Sequence, residues 1–104
     1  MNVKTFNQEV DNFIEHLEKP TGAKLTRTIN LLESFGPNLG MPHSTKVTRS
    51  IYELRVRGQQ EIRVLYAFHQ KYIVLLHGFV KKSDKIPSRE IQTAKSRLAQ
   101  LTAL

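Results

Sequence analysis

Residues 48–80, TRSIYELRVRGQQEIRVLYAFHQKYIVLLHGFV, decide the fold. Apolar and polar residues alternate over Thr48–Arg57 and again over Glu61–His69, which is the pattern of half-buried β-strands. Tyr72–Val80 is apolar at almost every position, as expected for an inner strand that is covered on both faces. Short turns separate the three segments. The stretch therefore predicts three consecutive antiparallel strands.

Helices are predicted on both sides of these strands. Residues 5–18 carry apolar side chains at helical spacing, with Asn7 as a candidate N-cap, and a second helix is predicted from Thr21 to Ser34. Pro87 fits the first turn of a third helix. Residues 2–4 carry only a weak strand signal. The predicted fold is α+β: two N-terminal helices packed on a three- to four-stranded antiparallel sheet, with a C-terminal helix, in a single domain spanning residues 1–104.

Strand parity sets the register of the first hairpin. Leu54 and Val64 face the same core only if paired residue numbers sum to an even value. A three-residue loop at 58–60 satisfies this condition and pairs Leu54 with Val64. It also places Arg55 directly opposite Arg63.

The same reasoning applied to the second hairpin pairs Phe68 with Tyr72 across residues 69–71. That register places His77 beside Arg63. The sheet face that holds the two arginines is then expected to carry a further set of side chains from all three strands: Glu53, Leu65, Leu75, Phe79 and Lys81.

The composition is strongly basic. The 104 residues include 16 Lys and Arg against nine Asp and Glu, a formal net charge of +7. A small domain with this balance favours a polyanionic partner such as nucleic acid, although a solvated surface would give the same count. The chain has no cysteine, which excludes disulfides and thiolate metal sites. Its four histidines lack ligand spacing, so no metal and no cofactor is predicted.

Two arginines directly opposite each other in a sheet repel. The pair has two interpretations. In the first, it is purely structural: both side chains extend into water, or Glu53 bridges them. In the second, the pair forms an anion site. Guanidinium groups bind phosphate through two hydrogen bonds and stay charged at any working pH. The second interpretation predicts a phosphate site on the sheet.

Two segments carry a resemblance to a known family: IYELRVRGQQEIRVLYAF at 51–68 and IVLLHGFVKKSDKIPSREIQTAKSRL at 73–98. They resemble the RelE/HigB-type toxins of type II toxin–antitoxin systems. These toxins are a phage-derived host-inhibition family within the RelE/ParE superfamily. The resemblance implies a RelE-like fold and a cytoplasmic endoribonuclease that cuts mRNA on the ribosome by metal-independent attack of the RNA 2′-hydroxyl. It also implies a helix-turn-helix antitoxin as partner, with operator DNA bound only through the toxin–antitoxin complex, and no contact with a membrane.

The resemblance also assigns site residues. The cations that would act on the scissile phosphate are Arg55, Arg63, Lys81 and Lys82. The proton acceptor stays open between Glu53, His77 and a lysine. Further RNA contacts are expected from Lys46, Arg57 and Lys85. Several relatives carry a tyrosine after the last strand that stacks on RNA, whereas residues 83–89 read SDKIPSR here.

Two other functions fit the same sequence. The chain would be a ParE-like inhibitor of DNA gyrase on the same fold, or a non-catalytic basic module that binds nucleic acid. The three functions predict different outcomes of expression. An RNA-cutting toxin would cleave mRNA, a gyrase inhibitor would induce a DNA-damage response, and a non-catalytic module would cause no growth arrest.

Overall fold

The computed structural model of the protein describes residues 1–103. Strands β1 to β5 span Asn2–Thr5, Ser44–Lys46, Tyr52–Val56, Ile62–His69 and Tyr72–Val80. Helices α1, α2 and α3 span Gln8–Glu15, Lys19–Phe35 and Ser88–Thr102, and a short 3-10 turn at Gly36–Asn38 follows α2. The α+β class and the C-terminal helix are confirmed. Leu104, the last residue of the predicted domain, lies outside the described residues.

The sheet differs from the prediction in strand number and direction. It has five strands in the order β1-β5-β4-β3-β2, and β1 runs parallel to β5 while the other neighbours are antiparallel. The chain begins with a strand, and the two helices follow it, so the predicted antiparallel sheet with two N-terminal helices is wrong. Both added strands are short edge strands, and three or four residues are too few for alternation to stand out from a loop.

The first hairpin has the predicted register. Leu54 pairs with Val64, and Arg55 lies opposite Arg63. Both apolar residues are fully buried. Burial of one face fixes the register, because a shift of one residue would move this whole apolar set to the opposite face.

The predicted register of the second hairpin is wrong. His69 pairs with Tyr72, and Arg63 pairs with Phe79 rather than with His77. Gln70 adopts a positive φ of 55° in a two-residue turn. The ladder then shifts by one residue between Leu65 and Tyr66. His77 therefore lies opposite Leu65, two residue pairs along from Arg63.

The shift also moves Leu75 to the opposite face from the one predicted. Leu75 packs in the core beneath α1 and α2, together with Val10, Leu25, Leu32 and strand residues including Leu54, Val64 and Tyr66. Asn7 caps α1 as predicted, accepting a hydrogen bond from the backbone N–H of Val10 at 3.1 Å. The two helices thus cover one face of the sheet.

Helix α3 covers part of the other face. Its Ala94 is fully buried in a second core that contains Leu65, Ala67, Val74 and Leu76. The helix contacts β4 and β5 and leaves the end of the sheet near Arg55 uncovered. Within residues 1–103, no helix combines the length and the apolar composition that crossing a membrane requires.

Two polar contacts fasten α3 to the rest of the fold. The His77 Nε2 and Glu90 Oε1 atoms are 2.8 Å apart. Arg97 donates hydrogen bonds to the Leu76 carbonyl and to Glu9 Oε1, each at 2.7 Å. The hydrogen bond and the charge of Arg97 lower the pKa of the Glu9 carboxyl. His77 is thus one of the residues that hold α3 in place.

We expect Gly78→Ala to destabilise the fold, because α1 packs directly on this glycine. An added Cβ would lie 2.5 Å from Phe13 Cδ2, and the ring belongs to the core. Overpacking of this kind costs about 1–3 kcal/mol. Gly22→Ala is the matched control: it lies in α2 with nothing within 4 Å, and we expect a gain of about 0.5–1 kcal/mol. Urea unfolding of both variants tests the packing; changes of the same sign would contradict it.

Candidate functional site

A carboxylate lies between the two opposed arginines of the sheet. Glu53 Oε1 is 3.7 Å from Arg55 Nε, and Glu53 Oε2 is 3.8 Å from Arg63 Nε. The Arg63 side chain is 2% exposed, and Glu53 is 7% exposed as a residue. The bridge that the sequence suggested as an alternative is therefore present. It is a loose bridge, because both distances exceed hydrogen-bond length.

A pocket of about 320 Å³ opens beside this trio, at the end of the sheet that α3 leaves uncovered. We call it the cationic pocket. Five of its eight lining residues are cationic and two are acidic, the full set being Arg55, Arg57, Glu61, Arg63, Lys81, Lys82, Ser83 and Asp84. Its charge balance and its size suit a phosphodiester anion.

Four buried polar atoms around the pocket have no hydrogen-bond partner among the described residues: Glu53 Oε2, Arg55 Nε, Glu61 Oε2 and Arg63 Nε. The other recorded bonds of the two arginines are few. Arg63 Nη1 donates to the Ile62 carbonyl at 3.0 Å, and Arg55 Nη1 lies 3.5 Å from the sulfur of Met41. Buried donors without acceptors are costly and rare in folded proteins. The two Nε–H groups face Glu53 at 3.7 and 3.8 Å, beyond hydrogen-bond length, so the carboxylate satisfies them only loosely.

The last strand brings the lysines to the pocket. The Lys81 N–H donates to the Glu61 carbonyl at 2.7 Å, which extends the β4–β5 ladder by one bond. Lys81 is half-buried and Lys82 is exposed, and both line the pocket. The structure thus gathers Arg55, Arg63, Lys81 and Lys82, the four cations predicted to act on phosphate. Arg57 lines the pocket too.

Three predicted site residues lie elsewhere. Lys46 pairs with Tyr52, on the face of the α1–α2 core, and its ammonium is 5.8 Å from the centre of the Tyr52 ring. His77 shares the face of the arginines, but it stacks on Phe79 and bonds to Glu90. Lys85 is exposed in the segment after β5 and does not line the cationic pocket.

Glu61 is a pocket residue that the sequence interpretation missed. Its Oε2 lies 3.6 Å from Arg63 Nη1, its Oε1 lies 4.0 Å from Arg57 Nε, and its side chain is 41% exposed. A signal was present: Glu61 precedes Arg63 by two residues and so shares its face of β4. Within residues 1–103, no group of three His, Cys, Asp or Glu side chains is arranged to hold a metal ion.

A comparison with protein families identifies one whose model covers most of this chain. The family described as phage-derived protein Gp49-like (DUF891) matches residues 12–99. That range includes α2, β2 to β5, α3 as far as residue 99, and every residue that lines the cationic pocket. No curated protein matches the chain.

Proposed function

The chain belongs to the phage-derived Gp49-like family, which is associated with toxin–antitoxin systems, and we propose that it is a toxin of the RelE/HigB kind that cuts RNA. The observation that carries this proposal is the pair of opposed arginines. Arg55 and Arg63 both line the cationic pocket, and Glu53, the carboxylate between them, lies beyond hydrogen-bond length from each Nε. Buried, fixed guanidinium groups stabilise developing negative charge more strongly than solvated ones.

The proposed reaction is a transesterification. The RNA 2′-oxygen attacks the adjacent phosphorus, the bond from phosphorus to the 5′-oxygen breaks, and a 2′,3′-cyclic phosphate remains. Arg55 and Arg63 stabilise the negative charge on the pentacovalent phosphorus. The ammonium of Lys81 or Lys82 supplies a proton to the departing 5′-oxygen. All four side chains line the same pocket, so one phosphodiester reaches them together.

Glu61 is the proton acceptor that we assign to the 2′-hydroxyl. A general base needs an accessible acceptor atom within reach of the substrate. Glu53 is buried between two guanidinium groups, and His77 is engaged by Glu90 outside the pocket lining. Glu61 lines the pocket and its side chain is 41% exposed. Its Oε2 is buried beside Arg63, so Oε1, which lies 4.0 Å from Arg57 Nε, is the oxygen that we assign as acceptor.

Membership of a toxin–antitoxin family implies an antitoxin partner. We propose in addition that this antitoxin carries a helix-turn-helix domain, that the RNA substrate is mRNA on the ribosome, and that operator DNA is bound only through the complex. We place the reaction in the cytoplasm, where mRNA is translated.

Induction of the protein without an antitoxin tests the proposal. We expect growth arrest, new 5′ ends within mRNA detected by primer extension, and no DNA-damage response. Arg55→Ala should relieve the arrest, because it removes one of the two opposed cations, while Lys71→Ala in the exposed β4–β5 turn should not. Arrest with intact mRNA and an induced DNA-damage response would favour gyrase inhibition instead. Absence of arrest would favour a non-catalytic basic module.

A further inference from the structure

A second groove, of about 360 Å³, adjoins the cationic pocket. We call it the edge groove, because it lies where β3 extends beyond β2: the last β2–β3 pair is Ser44 with Leu54, and the lining includes Val56 and Arg57. Arg55 and Arg57 line both cavities. The two therefore share a cationic wall.

The walls of the edge groove differ in chemistry. Helix α2 contributes Lys24 and Arg27, and none of residues 1–103 adds a carboxylate to the lining. Leu31 and Pro42 supply apolar surface. Cations beside an apolar wall, in a cavity within the range of about 300–1,000 Å³ that suits small ligands, match a nucleotide, which has one charged end and one flat ring.

His43 gives the groove an aromatic ring on a backbone that hydrogen bonds hold in place. Its backbone N–H donates to the Gly40 carbonyl at 3.0 Å, and its carbonyl accepts from the Arg55 N–H at 2.9 Å. The side chain is half-buried and lines the groove. Arg55, which lines both cavities, has its Nη1 atom 3.5 Å from Met41 Sδ. Its guanidinium therefore reaches the loop that carries His43.

We propose that the edge groove binds the nucleotide next to the scissile phosphate of a single-stranded RNA. The inference rests on the proposed function and adds a substrate subsite to it. The base stacks on His43 and Pro42, since imidazole is one of the rings on which proteins stack unpaired bases. Arg27 and Lys24 contact the neighbouring phosphate. His43 thereby provides the stacking contact for which residues 83–89 hold no tyrosine.

The subsite predicts a base preference beside the cut. Purines offer a larger ring than pyrimidines, so the wild-type protein should cut more often where a purine occupies the flanking position. His43→Ala should lower cutting about tenfold overall, the size of a lost base–aromatic stack, and should bring the purine-to-pyrimidine ratio toward one. Arg27→Ala should lower cutting severalfold at all sites, because it removes a phosphate contact that carries no base information.

Mapping of RNA 5′ ends after induction measures both effects. Lys71→Ala is the matched control for Arg27→Ala, since it removes an exposed cation at the other end of β4. Arg63→Ala should abolish the cuts and marks the background. If the wild-type protein cuts RNA without a preference for the flanking base, or if His43→Ala leaves that preference unchanged, the subsite is wrong. The cuts themselves would still support the proposed function. Wild-type protein that makes no cuts would overturn the proposed function itself.

Discussion

Arg63→Ala is expected to abolish growth arrest and to lower the rate of RNA cleavage about 10²–10³-fold, the range seen when one preorganised electrostatic group is lost. Arg63 is 2% exposed, lies opposite Arg55 and is held 3.8 Å from Glu53. Its guanidinium therefore needs little reorganisation when the phosphate gains charge. Cleavage of an mRNA reporter in a cell-free translation system gives the rate directly.

The alanine variant also has a structural cost. Without Arg63, the buried Glu53 carboxylate loses one of its two cations, and breaking a buried pair costs about 3–5 kcal/mol. The double variant Glu53→Gln with Arg63→Gln removes both charges of this pair, so it should lose less stability than Arg63→Ala even though glutamine leaves part of the arginine volume unfilled, and it should still lose cleavage. If this double variant unfolds at the wild-type temperature and cuts RNA at the wild-type rate, the assigned role of Arg63 is wrong.

Glu61→Gln is expected to lower the cleavage rate by about two orders of magnitude while leaving the fold and RNA binding intact. The amide keeps the shape of the side chain but cannot accept the 2′-hydroxyl proton. Glu61 is 41% exposed and its ion pairs are long, so their loss should change the free energy of unfolding by no more than about 1 kcal/mol.

The matched control is Asp84→Asn, which neutralises the other acidic residue of the pocket. It should change the rate less than threefold. A general base also leaves a signature in the pH dependence: the acidic limb of the wild-type rate profile should disappear in Glu61→Gln. Equal losses in the two variants, or an unchanged acidic limb, would show that Glu61 acts only through the net charge of the pocket.

The sequence predicted the centre of the site because the first hairpin is fixed by burial. Leu54 and Val64 can share a core in one register only, and that register sets Arg55 opposite Arg63. Two like charges facing each other break the usual rule for cross-strand pairs. Breaks of that kind concentrate at functional sites, and the structure places a cationic pocket at this one.

The second hairpin was mispredicted because its strand gives no register signal. Tyr72–Val80 is apolar on both faces, so a shift of one residue changes little in the pattern, and the irregularity near Leu65 leaves no mark in it. Parity therefore places His77 two residue pairs too close to Arg63. Parity alone cannot detect a bulge, which inserts a residue without changing the apolar character of the strand.

The edge groove could not be predicted from local patterns at all. Lys24 and Arg27 recur three residues apart on α2, which indicates only that they share a helix face. The fold decides that this face meets the 41–43 loop and the open edge of β3. His43 precedes a strand too short to show alternation, and its backbone position depends on a local turn bond to Gly40 and a tertiary bond from Arg55.

The chemistry of the RNA ends is the most direct test of the central claim, that the opposed arginines hold a phosphodiester for attack by its own 2′-hydroxyl. RNA is collected after induction of the wild-type protein and of the Glu53→Gln, Arg63→Gln double variant, and the ends at new cuts are analysed by mass spectrometry. The account predicts 2′,3′-cyclic phosphate and 5′-hydroxyl ends from the wild-type protein and no new ends from the variant. New ends bearing 5′-phosphate, or equal cutting by the variant, would contradict it.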